Sequence, residues 1–194
     1  MPTCQYSQIQ GMSGSLGELK NRELIKRYID VCLEKVELAY GVLLTKPKNG
    51  FVPYESTDEE TKRKIENYFN SITKWSDVSL DKLIEDFPDD YWSIFHHVGW
   101  EGIYCLTPIL IKLAYEGYLE SDEIVSTVER LFSRFPRLSD DSTANFLDWM
   151  NMYDQYQILC VLDLITLLSN DPLALFPDGF KEGKRWWMRY YVDG

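Results

Sequence analysis

Tyr153 to Ser169, YDQYQILCVLDLITLLS, is the stretch that decides the fold class. It is apolar almost all round, which describes a helix enclosed by other elements rather than one lying on a surface. Asn170-Asp171-Pro172 ends it. Immediately before it, Ser139-Asp140-Asp141 opens a helix running to about Met152. There Phe146, Trp149 and Tyr153 fall on one stripe, and Asp141, Asn145, Asp148 and Met152 on another. The first stripe reads as core and the second as a solvated face.

Working back toward the N-terminus, the same punctuation recurs. Ser121-Asp122-Glu123 opens a helix to about Phe135, stopped by Pro136. Thr107-Pro108 reads as a cap with proline at the first helical position, starting a helix that runs to Gly117 or Tyr118. Asp89 to Val98 reads as helical with Trp92 and Phe95 inward, interrupted by Gly99 and Gly102. A short helix from Ser79 ends before Pro88. Thr57-Asp58-Glu59-Glu60 has the form of a capping box with Thr57 at the cap, for a helix to about Lys74. Thr45 to Glu55 reads as a loop, with room for a short strand at Phe51 and Val52. From Glu18 to Tyr40, Ile25, Ile29, Cys32, Val36 and Tyr40 make one face. Glu23, Lys26, Arg27, Asp30, Glu34 and Glu37 take the other side, and Gly41 stops the helix.

No run shows the sustained alternation of strands. The expectation is an all-α, single-domain bundle of about eight helices with a buried helix near 153–169. Residues 1–17 read as a flexible lead-in and 18–194 as one helical domain. Thirteen Tyr, nine Phe and six Trp supply a substantial core.

Charge narrows the function classes. The 43 residues from Leu138 to Phe180 contain no Lys, Arg or His and carry seven aspartates, at 140, 141, 148, 154, 163, 171 and 178. A basic-aromatic tail follows, with Lys184, Arg185, Trp186, Trp187, Arg189, Tyr190 and Tyr191. A net charge of −11 disfavours nucleic acid as a ligand, since phosphates require clustered Lys and Arg. The tail is therefore expected to pack on the acidic body, with Trp186, Trp187 and Tyr190 buried and Arg185 and Arg189 meeting carboxylates. Ile158 to Leu168 is too short and too interrupted to span a membrane. The first nineteen residues lack the apolar centre of a signal peptide. Cys32, Cys105 and Cys160 read as buried free thiols, and the expected location is the cytoplasm.

No motif specifies a reaction. The Gly11–Gly17 segment fits neither a nucleophile elbow nor a phosphate-binding loop. His96-His97 with Glu101 comes nearest to a metal or acid–base cluster, because His97 and Glu101 are four apart. Gly99 between them and the lack of a third ligand favour an ordinary histidine pair. Neither catalytic residues, nor metal, nor cofactor are expected, and a hydrolase using His97 and Glu101 is a remote alternative. Asp163, embedded in leucines, needs a partner, expected among the tail arginines or Arg130 to Arg137. The acidic stripe with Asp154 and Tyr156 gives the candidate partner-binding set: Asp140, Asp141, Asn145, Asp148, Asp154 and Tyr156.

This small, acidic, all-helical body without catalytic or metal motifs resembles bacterial immunity proteins that neutralise contact-dependent or colicin-type toxins. The resemblance lies in overall character and rests on no shared motif. It implies a cytoplasmic inhibitor whose acidic face occludes the basic cleft of a toxin such as a nuclease. Leu106-Thr107-Pro108 and the segment Phe135 to Leu147 are also similar to uncharacterised bacterial helical families. The alternative reading is a helical scaffold or regulatory adaptor.

Overall fold

The computed structural model describes residues 15–52, 57–89, 91–120, 123–133, 148–169, 183–189 and 191. The α-helices are α1 (Ser15–Tyr40), α2 (Glu59–Ser71), α3 (Leu80–Asp86), α4 (Trp100–Glu120), α5 (Ile124–Ser133) and α6 (Gln155–Ser169). Short 3-10 segments occupy Trp75–Asp77 and Ser93–His97, and residues 148–150 and 183–189 are also helical. Among the described residues there is no strand, only an isolated bridge between Leu43 and Lys74. The chain is an all-α bundle around one continuous apolar core.

α4 is the hub. It packs against α1, α3, α5, α6 and the Trp75–Asp77 turn, and its residues 105–111 are all buried. α6 is buried as its composition demands at Ile158, Cys160, Val161, Leu162, Leu164, Ile165, Leu167 and Leu168, but it shares the centre rather than holding it alone. The expected start at Thr107-Pro108 is wrong: α4 begins seven residues earlier, at Trp100, and Pro108 lies inside it. A proline there removes one i→i−4 hydrogen bond. The carbonyl left without that donor is Tyr104's; beside it, Thr107 Oγ1 donates to the Ile103 carbonyl at 2.9 Å. With that hydrogen committed, the Thr107 oxygen accepts from the Tyr153 hydroxyl at 2.8 Å, tying α4 to the chain entering α6.

Gly99 does lie in the break between Ser93–His97 and α4, but Gly102 does not interrupt a helix. Gly99 N donates to the Phe51 carbonyl at 2.9 Å, and Gly102 sits in the first turn of α4 against the same segment. A Cβ on Gly102 would stand 2.5 Å from Val98 Cγ1 and 3.0 Å from Phe51 O. The glycine marks a close approach of two backbones, not a break. Phe51 and Val52 are buried, yet without a strand to pair with: Glu66 Oε1 accepts the Val52 N–H at 2.8 Å instead. The expected helix over Asp89–Val98 reduces to the 3-10 segment Ser93–His97, with Phe95 inward and Trp92 half-buried.

The capping assignments divide. Ser79 caps α3 as expected, accepting from Lys82 N. For α2 the cap is Asp58 rather than Thr57: Asp58 Oδ1 accepts from Thr61 N at 2.9 Å. Thr57 turns its hydroxyl to His97 Nδ1, 3.0 Å away. The ordered N-terminal helix starts at Ser15, three residues before the expected Glu18. Ile29, Cys32 and Val36 are buried as its pattern requires.

Candidate functional site

The described part of the acidic stretch is built on a floor of aromatic rings. Trp149 and Tyr153 are buried, 5.3 Å apart and nearly perpendicular. Trp187 packs edge-on against both, at 5.7 and 5.2 Å, and against Phe132 at 6.0 Å. Its indole N–H donates to the Phe132 carbonyl at 3.0 Å, deep in the protein. Tyr104 and Trp100, one helical turn apart on α4, lie against Tyr153 and Trp149 at 5.0 and 5.1 Å. Edge-to-face pairs at these separations add rigidity beyond the area they bury. The tail thus returns to the body through Trp187, as its composition suggested. Trp186 is half-buried, and the Arg189 guanidinium stacks 5.2 Å above it. Tyr190 lies outside the described residues.

Above this floor stand the polar groups. Asp148 is exposed beside Trp149, and Tyr156 is 68 % exposed on the first turn of α6. Asp154 is exposed too, but it has a structural task. Its Oδ1 accepts from Tyr156 N at 2.8 Å and Gln157 N at 2.9 Å, while Gln157 Oε1 accepts from Asp154 N at 3.1 Å. This is a reciprocal capping box, which satisfies the orphan N–H groups at the start of α6 and fixes the carboxylate's direction. Trp100, 41 % exposed, borders the same rim through its contact with Trp149. Trp100 is not among the expected contacts, because Gly99 and Gly102 read as interruptions and Pro108 as a helix start. The available signal was the four-residue spacing of Trp100 and Tyr104, which puts both on one face. Asp140, Asp141 and Asn145 lie outside the described residues, as do Asp171 and Asp178. Asp148, Asp154 and Tyr156 are each exposed along the segment that carries Trp149 and Tyr153, and with Trp100 they make up the candidate rim.

Asp163 is not part of that rim. Its carboxylate accepts from Lys35 Nζ of α1 at 2.6 Å, and the Tyr28 hydroxyl donates to its backbone carbonyl at 3.3 Å. The partner is thus a lysine of the first helix, not an arginine of the tail or of α5. The Asp163 side chain remains 28 % exposed, so it stands at the margin of the α1–α6 seam rather than in the core. Burial lowers the Lys35 pKa, but the Asp163 hydrogen bond and charge outweigh it and the net shift is upward.

His97 and Glu101 are drawn to different neighbours. His97 faces Thr57, whereas Glu101 Oε1 accepts from Lys48 N at 2.8 Å and holds the loop after α1. His96 lies edge-on to Trp92 at 5.9 Å. Its pKa is lowered by burial first, then by the charges of Arg130 and His97. Among the described residues no three His, Cys, Asp or Glu side chains are placed to hold a metal ion together.

Of the cavities, one of about 30 Å³ lies between Tyr40, Tyr104, Cys105, Pro108 and Gln157. That is room for about one water molecule and not for a substrate. A larger open groove, about 480 Å³, is lined by Glu59, Glu60, Lys62, Arg63 and Glu66. All five of these described residues belong to α2 and are charged, unlike the lining of the enclosed apolar clefts that hold small molecules. Burial raises the thiol pKa of Cys32, of Cys105 to about 11 and of Cys160 to about 12, leaving three unreactive core thiols. Among the described residues no helix is long and apolar enough to cross a membrane. Comparison with protein-family models, curated proteins and solved structures finds no match.

Proposed function

We propose that this chain is a non-enzymatic binding protein of the bacterial cytoplasm that neutralises a basic toxin domain, such as a nuclease, by covering its cationic cleft. The observation that carries the reading is the rim itself: Asp148, Asp154, Tyr156 and Trp100 exposed over a packed aromatic floor. Carboxylates steer a cationic partner at long range, and a net charge of −11 strengthens that field. Affinity then comes from aromatic side chains near the centre of the contact. The Asp154 cap and the ring contacts beneath Trp100 hold the rim in place before binding, which lowers the ordering cost. Nuclease clefts are positive because they bind phosphate, so a fixed array of carboxylates imitates their ligand.

The test is co-expression with a nuclease domain encoded beside this chain's gene, together with calorimetry on the purified pair. Growth is rescued, affinity falls as salt rises, and Tyr156→Ala and Asp148→Lys weaken binding while the helical circular dichroism is unchanged. Salt-insensitive binding, or full protection by both variants, refutes the rim as the inhibitory surface.

A further inference from the structure

A second surface is left unexplained by the rim. The buried face of α1 is formed by Ile29, Cys32 and Val36, and α1 meets the body through α4 and α6. On the opposite side, Leu24, Val31 and Leu38 are 48, 45 and 88 % exposed. They recur every seven residues, about 10 Å apart along the axis, so they form one seam. Single exposed aliphatics are ordinary, but three in heptad register line one stripe of the helix that a partner helix can cover.

The geometry points to a second copy of this chain as the occupant, with the two α1 helices antiparallel about Val31. In that register Leu24 lies opposite the second copy's Leu38, and Val31 opposite its own twin. The charges bordering the seam fit the same arrangement. Arg27 and Glu34 lie on the same flank, both exposed, and antiparallel pairing sets Arg27 against the second copy's Glu34 twice over. Glu23, 2.8 Å from Arg27 within one chain, extends each pair into a three-charge row. A parallel arrangement loses this match, because like residues then face like. The seam spans about 21 Å of helix and so falls below a standard interface, giving a weak, concentration-dependent dimer.

Sedimentation velocity on the full chain, between about 10 and 500 μM, tests this. The monomer–dimer equilibrium is lost in Val31→Glu, which places two carboxylates on the axis at an exposed position that does not disturb folding. Arg27→Glu and Glu34→Arg each weaken the dimer, and the double exchange restores it. In a Cys4→Ser background, Val31→Cys forms a disulfide-linked dimer. Leu24→Cys does not, since the two copies lie about 21 Å apart. A protein monomeric throughout that range overturns the inference. So does a dimer indifferent to Val31→Glu, a double exchange that fails to restore association, or equal cross-linking at positions 24 and 31.

Discussion

Replacing Trp187 with alanine tests whether the basic-aromatic tail belongs to the core. Trp187 is fully buried, touches Phe132, Trp149 and Tyr153 edge-on, and donates its N–H to the Phe132 carbonyl. Truncating a buried tryptophan costs about 3–5 kcal/mol from lost transfer energy and the cavity left behind. The orphaned Phe132 carbonyl and the lost edge contacts place this site toward the upper half, about 4 kcal/mol. For a chain of this size each kcal/mol lowers the melting temperature by about 2–4 °C, so a fall of roughly 8–16 °C is expected. Trp187→Phe keeps a ring in the site but not the donor, and is expected to cost about 1–2 kcal/mol. Urea and thermal unfolding read both. If Trp187→Ala lies within about 1 kcal/mol of the parent, the tail is not part of the core and the rim loses its floor.

Three further tests probe other sites. Gly102→Ala raises helix propensity by about 1 kcal/mol, yet its Cβ meets Val98 and the Phe51 carbonyl, so a net loss of about 1–2 kcal/mol in urea unfolding is expected; a stabilised variant contradicts the close approach. Asp154→Ala removes the α6 cap and costs about 1 kcal/mol, while Tyr156→Ala leaves the urea midpoint unchanged; equal effects of the two contradict the division between cap and exposed contact. The His96 pKa is depressed from 6.5 in the folded protein, so the unfolded chain binds the proton more readily. Its contribution is present above pH 6.5 and lost as pH falls through the folded value, and His96→Gln flattens that limb of the urea midpoint measured from pH 8 to pH 5.

What the sequence made legible follows the strength of local signals. Long amphipathic or fully apolar runs located α1, α2 and α6, and Ser79 marked a cap, because periodicity and capping are local properties. The errors gather where a residue's meaning depended on something distant. Gly102 is read as a breaker in isolation, but its purpose is the Phe51 backbone, brought there by the fold. Pro108 is read as a helix start because Thr107 precedes it; in the fold Thr107 caps nothing and turns its hydroxyl to Ile103 and to Tyr153, the latter contributed from far along the chain. The expected Thr57 cap fails for the same reason, since His97 draws the hydroxyl away and Asp58 takes over. These misreadings together hide the first seven residues of α4 and with them Trp100.

A charge count along the chain is therefore a poor map of a charged surface. Of the aspartates in the stretch from Leu138 to Phe180, Asp163 answers Lys35 across the α1–α6 seam and Asp154 answers the backbone of α6. Both are held by the fold, yet they differ in consequence. Asp163 has its charge matched by a cation, whereas Asp154 is held by neutral N–H donors and keeps its negative field. Capping thus orients a carboxylate without neutralising it, and a cap beside exposed Tyr156 contributes both to folding and to an acidic face. Asp148 adds a second charge next to the same rings. Asp154 is acidic because a helix must start there, and the rings of Trp149 and Tyr153 in the same segment are packed from below by Trp187.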